Sequence, residues 1–405
     1  MPSVQFVPDY ALTINGTPIP DSLKSSISGI TFESGMDAAN RVELTIANPG
    51  LQWLQNHING LGFLPVPSGI LPMPPVVPPG ILPGAVPLPP ILPPPGLFDM
   101  NNTLALAIGY ADQPLSQVFE GEITGIEANM QPGAMPTLNV TALDRLNRLA
   151  QGNYGRGFGP LPDALIAMIL SAENLLLPAI DPTLTAASTA IAVVNFIFNG
   201  SGRKQKSQSD LELLKEIADY YDADFWVEGS TLYLSRFFKE YTPSTTLNWG
   251  ESLLSFSPRV STVGQYFGVG VKFTLREIPL SFTVAVSWNF NTQSIAINVV
   301  PSGTEAYLKS LIGPIDTIID RPISSPPDII DSAMFITRKL RNALNNRLTA
   351  SGSAVGDPAI AANAVVQFNG LGPDFGGNYR VTSATHTIDN NGYRTNFKVR
   401  KEIIP

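Results

Sequence analysis

The chain has 405 residues, with 25 Lys and Arg against 33 Asp and Glu, a net charge of −8, and 44% hydrophobic residues. An acidic chain with only 14% charged residues is a poor match for nucleic acid, which needs clustered cations to displace condensed counterions. The absence of Cys excludes disulfides, thiolate metal sites and Cys nucleophiles, and two His, at 57 and 386, leave almost nothing for a zinc site or a Ser-His-Asp triad.

The length sets an expectation of roughly two to four domains. The first ten residues are polar and broken by Pro2 and Pro8, so no secretory signal is expected and synthesis in a cytoplasm is, a bacterial one if the resemblance given below holds. The first segment reads as β. Tyr10, Leu12 and Ile14 alternate with other residues and run into the turn Asn15-Gly16, and Val42, Leu44 and Ile46 alternate again before Asn48-Pro49. Further strands are expected at 104–110, 118–128 and 137–143.

Between them lies an uncharged insertion, with 14 of the chain's 37 prolines between Pro65 and Pro95. Proline fixes φ and removes donors, so neither helix nor inner strand is expected there, but extended polyproline II. Such a segment cannot span a membrane, and no stable membrane insertion is expected. Its apolar side chains, Leu64, Ile70, Leu71, Met73, Val76, Val77, Ile81, Leu82, Val86, Leu88, Ile91 and Leu92, are the candidate partner-binding residues.

From about 150 to 240 the pattern is mixed. Pro162-Asp163 opens a helix with Leu165, Ile166, Ile169 and Leu170 at helical spacing. Ser209-Asp-Leu-Glu212 reads as a capping box, followed by a core stripe of Leu211, Leu214, Ala218 and Tyr221. A hairpin is expected over 225–235, turning at Gly229-Ser230. Strands follow at 266–275, 282–289 and 294–300. A helix over about 330–348 carries Arg338, Lys339, Arg341 and Arg347 on what the composition suggests is a solvated face. Strands at 364–369, 379–388 and 394–399 close the chain.

Two long hairpins repeat one pattern. Phe119-Glu-Gly-Glu-Ile-Thr and Gly377-Asn-Tyr-Arg-Val-Thr place Ile-Thr and Val-Thr at one matched position, and each hairpin closes a β region. The pattern is compatible with unrelated hairpins and with a duplicated domain. No catalytic spacing emerges. Gly152-Asn-Tyr-Gly-Arg-Gly157 reads as a connector, not a phosphate loop, and Asp222 and Asp224 read as turn residues before a glycosidase pair. No catalytic residue, metal or cofactor is expected.

Ser209–Leu234 and the stretches Gly356-Asp-Pro-Ala-Ile, Val366–Gly372 and Gly377–Phe397 resemble the phage late control protein D family, the baseplate hub proteins of contractile tails. That family is related to the hub part of the type VI secretion spike. The resemblance implies a mainly β fold with a smaller α+β part. Two tube-like β-barrels and a helix/hairpin domain would assemble as a homotrimer with pseudo-six-fold symmetry.

The implied domains are a first barrel at 1–150 with the Pro-rich insertion at 64–97, an α+β domain at 151–240, and a second barrel at 241–405 with an insertion at about 277–348. The implied role is structural and non-enzymatic: a hub adapting a six-fold tail tube to a three-fold spike. It would sit in a phage baseplate or an injection-system particle, against tail tube, separate spike and wedge proteins. The alternatives are a peptidoglycan or polysaccharide hydrolase, which requires two carboxylates at glycosidase separation, and an adhesin using the Pro-rich arm.

Overall fold

The computed structural model describes residues 7–36, 38–49, 53, 96–199, 202–235, 242–260, 268–275, 281–289, 292, 294–312, 315–323 and 326–402. All twelve Pro-rich candidate residues, Leu64 to Leu92, fall outside these.

The first unit contains β1 (Pro8–Ile14), β2 (Thr17–Pro18), the short helix α1 (Asp21–Lys24), β3 (Ile27–Gly35), β4 (Arg41–Ala47), β5 (Thr103–Tyr110), β6 (Ser116–Asn129) and β7 (Thr137–Asp144). Strict alternation drives these strands. In β4 and β7 every second residue is buried, among them Val42, Leu44, Ile46, Leu138, Val140 and Ala142, while the intervening residues are only partly covered. Burying each such side chain contributes about 1.5–3 kcal/mol.

The second segment contains α2 (Leu146–Leu149), β8 (Tyr154–Gly157), α3 (Asp163–Glu173), β9 (Leu177–Ile180), α4 (Pro182–Asn199), β10 (Lys204–Gln208), α5 (Asp210–Tyr221), β11 (Asp224–Glu228) and β12 (Thr231–Ser235). The capping box forms as the sequence predicts. Ser209 Oγ accepts from Glu212 N at 3.2 Å, and Glu212 accepts from Ser209 N at 2.8 Å. Two expectations change here. Leu146 and Leu149 are buried in this core, so it begins before 150. The supposed connector at 152–157 contains β8, which pairs antiparallel with β10, because Arg156 is held by Gln205, Asp210 and Glu173.

The rest of the chain contains β13 (Thr245–Asn248), β14 (Leu253–Val260), β15 (Gly268–Leu275), β16 (Ser281–Asn289), β17 (Ser294–Pro301), α6 (Glu305–Ile312), β18 (Ile315–Ile323), α7 (Pro326–Asn345), β19 (Leu348–Val355), β20 (Val365–Asn369), α8 (Gly372–Phe375), β21 (Gly377–Asp389) and β22 (Gly392–Arg400). Strands β15 to β18 form a separate four-stranded sheet backed by α7. The inserted segment therefore starts at β15 and not near 277. The long helix ends at Asn345, short of the expected 348, and Arg341 on it is buried instead of solvated.

Apart from the small sheets β8-β10 and β9-β12-β11, the other 13 strands form one sheet, whose path runs β14-β19-β22-β21-β3-β4-β7-β6-β5-β1-β2, with β20 and β13 branching from β21. Within this path β3 pairs with β21, which joins the two halves of the chain. Close packing is required where β14 meets β19. A Cβ on Gly352 would collide with Ser255 O and come within 2.8 Å of the Phe397 ring. Gly352→Ala is expected to lower stability by roughly 1–3 kcal/mol, read as a fall in Tm. An unchanged Tm would show that β14 yields without cost.

Candidate functional site

The two halves share matched irregularities in strand pairing. In β6 the pairing with β7 shifts between Ile123 and Gly125, and in β21 the pairing with β22 shifts between Val381 and Ser383. The bulged residues are Thr124 and Thr382. Each hydroxyl donates across the ladder, Thr124 Oγ1 to Thr141 O at 3.5 Å and Thr382 Oγ1 to Lys398 O at 3.1 Å. These are the Ile-Thr and Val-Thr positions of the sequence repeat.

Beside them, Asn101 and Asn363 both adopt positive φ, and both donate their N–H to the carbonyl before the bulge, Ile123 O and Val381 O. A second matched bulge lies between Ile27 and Gly29 in β3 and between Leu253 and Ser255 in β14. On this register β3 corresponds to β14, β4 to β19, β5 to β20, β6 to β21 and β7 to β22. The outermost partner differs: β1 is antiparallel to β5, whereas β13 is parallel to β20.

Eight strands therefore make a doubled four-strand surface, β14-β19-β22-β21 followed by β3-β4-β7-β6. One face is core. The other carries hydroxyl, amide and charged side chains in cross-strand rows. One such row runs Arg41, Glu33, Thr385, Asn396, Ser353 and Ser255, each opposite the next. The Ser255 and Ser353 hydroxyls are 2.7 Å apart.

Both ends of this surface are open among the described residues. Apart from a bridge between Leu253 and Trp249, strand β14 pairs only with β19, and β6 beyond Ile123 has β7 on one side and no strand on the other among the described residues.

The internal seam between β3 and β21 contains His386. It stacks on Phe32, with ring centroids 5.5 Å apart. Its Nε2 lies 2.9 Å from Ile360 O, and its Nδ1 lies 2.9 Å from the Tyr393 hydroxyl. A carbonyl can only accept, so Nε2 carries the proton and Nδ1 accepts. Burial pushes its pKa down to about 4.

Just before each bulge, one charged side chain reaches the α+β core. Glu122 binds Arg148, and Arg380 binds Asp224 at 2.6 Å. Arg380 is 1% exposed and also contacts Glu402 at 3.1 Å and Asn363 Oδ1 through Nε at 2.9 Å. Burial pushes Glu402 up, but Arg380 and Arg400 outweigh it and hold the carboxyl below its usual range. Arg341 binds Asp222 at 3.0 Å. The two acids considered as a hydrolase pair are thus each held by a guanidinium.

A cavity of about 370 Å3 lies between the first unit and the β11–β12 hairpin, lined by Phe32, Phe119, Asp144 and Trp226 among others. Among the described residues no cluster of His, Asp and Glu is arranged to hold a metal, and no helix is long and apolar enough to cross a membrane.

The chain shares its fold with the 43 kDa tail protein of prophage MuSo2 from Shewanella oneidensis, at 12% identity and a TM-score of 0.55, covering 97% of this chain and 98% of that one. A tail protein from Neisseria meningitidis MC58 matches at 10% identity and TM-score 0.55, over 98% and 97%. The E. coli c3393 protein, described as a type VI secretion component structurally similar to the T4 tail proteins gp27 and gp5, matches at 10% identity and TM-score 0.52, over 97% and 80%. No family model and no curated protein matches the sequence. The resemblance read from the sequence thus agrees with these structural likenesses.

Proposed function

We propose that this chain is the structural hub of a contractile-tail baseplate. In this reading three copies present six like units to a six-fold tail tube on one side and a three-fold spike on the other. The observation that supports it most is the matched register of the two halves, joined through β3 and β21. One chain already contains two successive members of a ring of like units, so repeating that step closes a ring from identical contacts.

The hydroxyl-rich face becomes the lumen. Its hydroxyls and mixed-sign charges, such as Glu33 opposite Arg41, offer a passing unfolded protein few apolar anchors to hold it. Wedge proteins would bind the outer helical insertions, and the Pro-rich segment is proposed as a contact arm to one of these partners. The role needs no catalysis, and the ion-paired Asp222 and Asp224 favour it over a hydrolase.

Light scattering is expected to give three times the chain's 43.4 kDa, with rings of six-fold appearance in negative stain. A monomer at every concentration tested overturns the proposal.

A further inference from the structure

Resting on the trimeric reading, we infer that the open edge of β6 on one copy pairs antiparallel with the open edge of β14 on the next, with Glu127 directly opposite Arg259. The internal seam supplies the register. There Ser34 is opposite Ala384, Glu33 opposite Thr385 and Phe32 opposite His386. The matched bulges translate β21 onto β6 and β3 onto β14. Ile126 then faces Val260, Glu127 faces Arg259, Ala128 faces Pro258 and Asn129 faces Ser257.

Two further observations agree with this register. Glu127 and Arg259 are both exposed and, among the described residues, neither has an ion-pair partner, so opposite charges meet across the seam. Val260 and Met130, beside these edges, are 52% and 54% exposed, and pairing covers them.

The seam between copies also differs from the internal one. Met36 N donates to Thr382 O, which fixes Phe32 and His386 as a bonded pair of the ladder. Pro258 takes the place of Phe32 and has no N–H. The contact between copies therefore has one donor fewer than the contact within a chain. Glu127 and Arg259 fall at a non-bonded pair, where Cα atoms approach to about 4.5 Å.

The natural absence of Cys makes the register directly testable. In the full chain, Glu127→Cys with Arg259→Cys is expected to form covalent dimers and trimers on mild oxidation. They should form at least tenfold faster than with Glu127→Cys and Ser257→Cys, and neither single variant should cross-link. As a second readout, Glu127→Arg should lower the trimer fraction at fixed concentration, and adding Arg259→Glu should restore it.

A trimer that cross-links no faster at 127 with 259 than at 127 with 257, and that ignores both charge changes, overturns this register while the hub reading stands. A chain that never trimerises overturns both.

Discussion

Replacing Arg380 by Met is expected to lower the stability of the folded chain by about 3–5 kcal/mol. The guanidinium is fully enclosed and binds Asp224, Glu402 and Asn363 at once. Methionine fills much of the volume but leaves Asp224 with no cation on that side and Glu402 with Arg400 as its nearer partner and Arg341 at 3.9 Å. The cost arises from carboxylates left under-paired in a low-dielectric interior, not from the attraction lost.

Glu402→Gln is the companion variant. It removes one buried charge, so its loss should be smaller than that of Arg380→Met. The sign with pH follows from the lowered pKa of Glu402. Its contribution is full above the unfolded carboxylate range and is lost as pH falls through the folded value. Denaturant midpoints at neutral pH test the order of the two variants. Equal midpoints for wild type and Arg380→Met would show that the ion cluster contributes nothing net.

The second large effect is acid sensitivity at the seam inside the chain. The folded protein holds His386 neutral, with its pKa lowered by burial from the ordinary 6.5 to about 4, against the opposing pull of Ile360 O and Asp357. The unfolded chain takes up a proton near 6.5, so this stability is complete above that pH and lost as pH falls toward 4. At about 1.4 kcal/mol per unit, the loss is roughly 3 kcal/mol.

Asp144 acts in the opposite direction. Burial pushes its carboxyl up to about 6, so its protonation favours the fold in the same window. The comparison that isolates His386 is therefore wild type against His386→Gln, measured by urea unfolding between pH 7 and 4.5. The variant should start less stable, for lost packing and hydrogen bonds, and fall less steeply. Parallel profiles would show that His386 does not titrate across the transition.

What could be read beforehand follows from the physics of each element. The Ile-Thr and Val-Thr repeat was legible because a bulge with a side-chain bond to the opposite strand constrains two adjacent residues. Its partners Asn101 and Asn363 carry a fainter signal, an Asn just before an apolar strand, which favours the left-handed region. Strands β14 and β19 carry little strand signal because Ser, Gly, Ala and Pro have weak strand preference, and neighbouring strands hold them in place. Strand β3 alternates clearly at Ile30, Phe32 and Ser34 and was readable in principle.

The buried place of Arg341 was not readable. Helical spacing does not reveal that Asp222, more than a hundred residues earlier, lies across from it. The likeness to tail hubs likewise came from fold signatures and not from any catalytic spacing.

The union of β3 with β21 also bears on how fast and how faithfully such a ring could be built. In the proposed trimeric ring, half of the seams would lie within a chain and would need no encounter between molecules to form. Six separate units would lose translational and rotational freedom in five joining events, whereas three double units lose it in two. The tether also fixes the ring's parity, because rings made only of whole chains contain an even number of units. In such a ring, five- and seven-unit errors would be excluded by covalent connectivity and not by affinity.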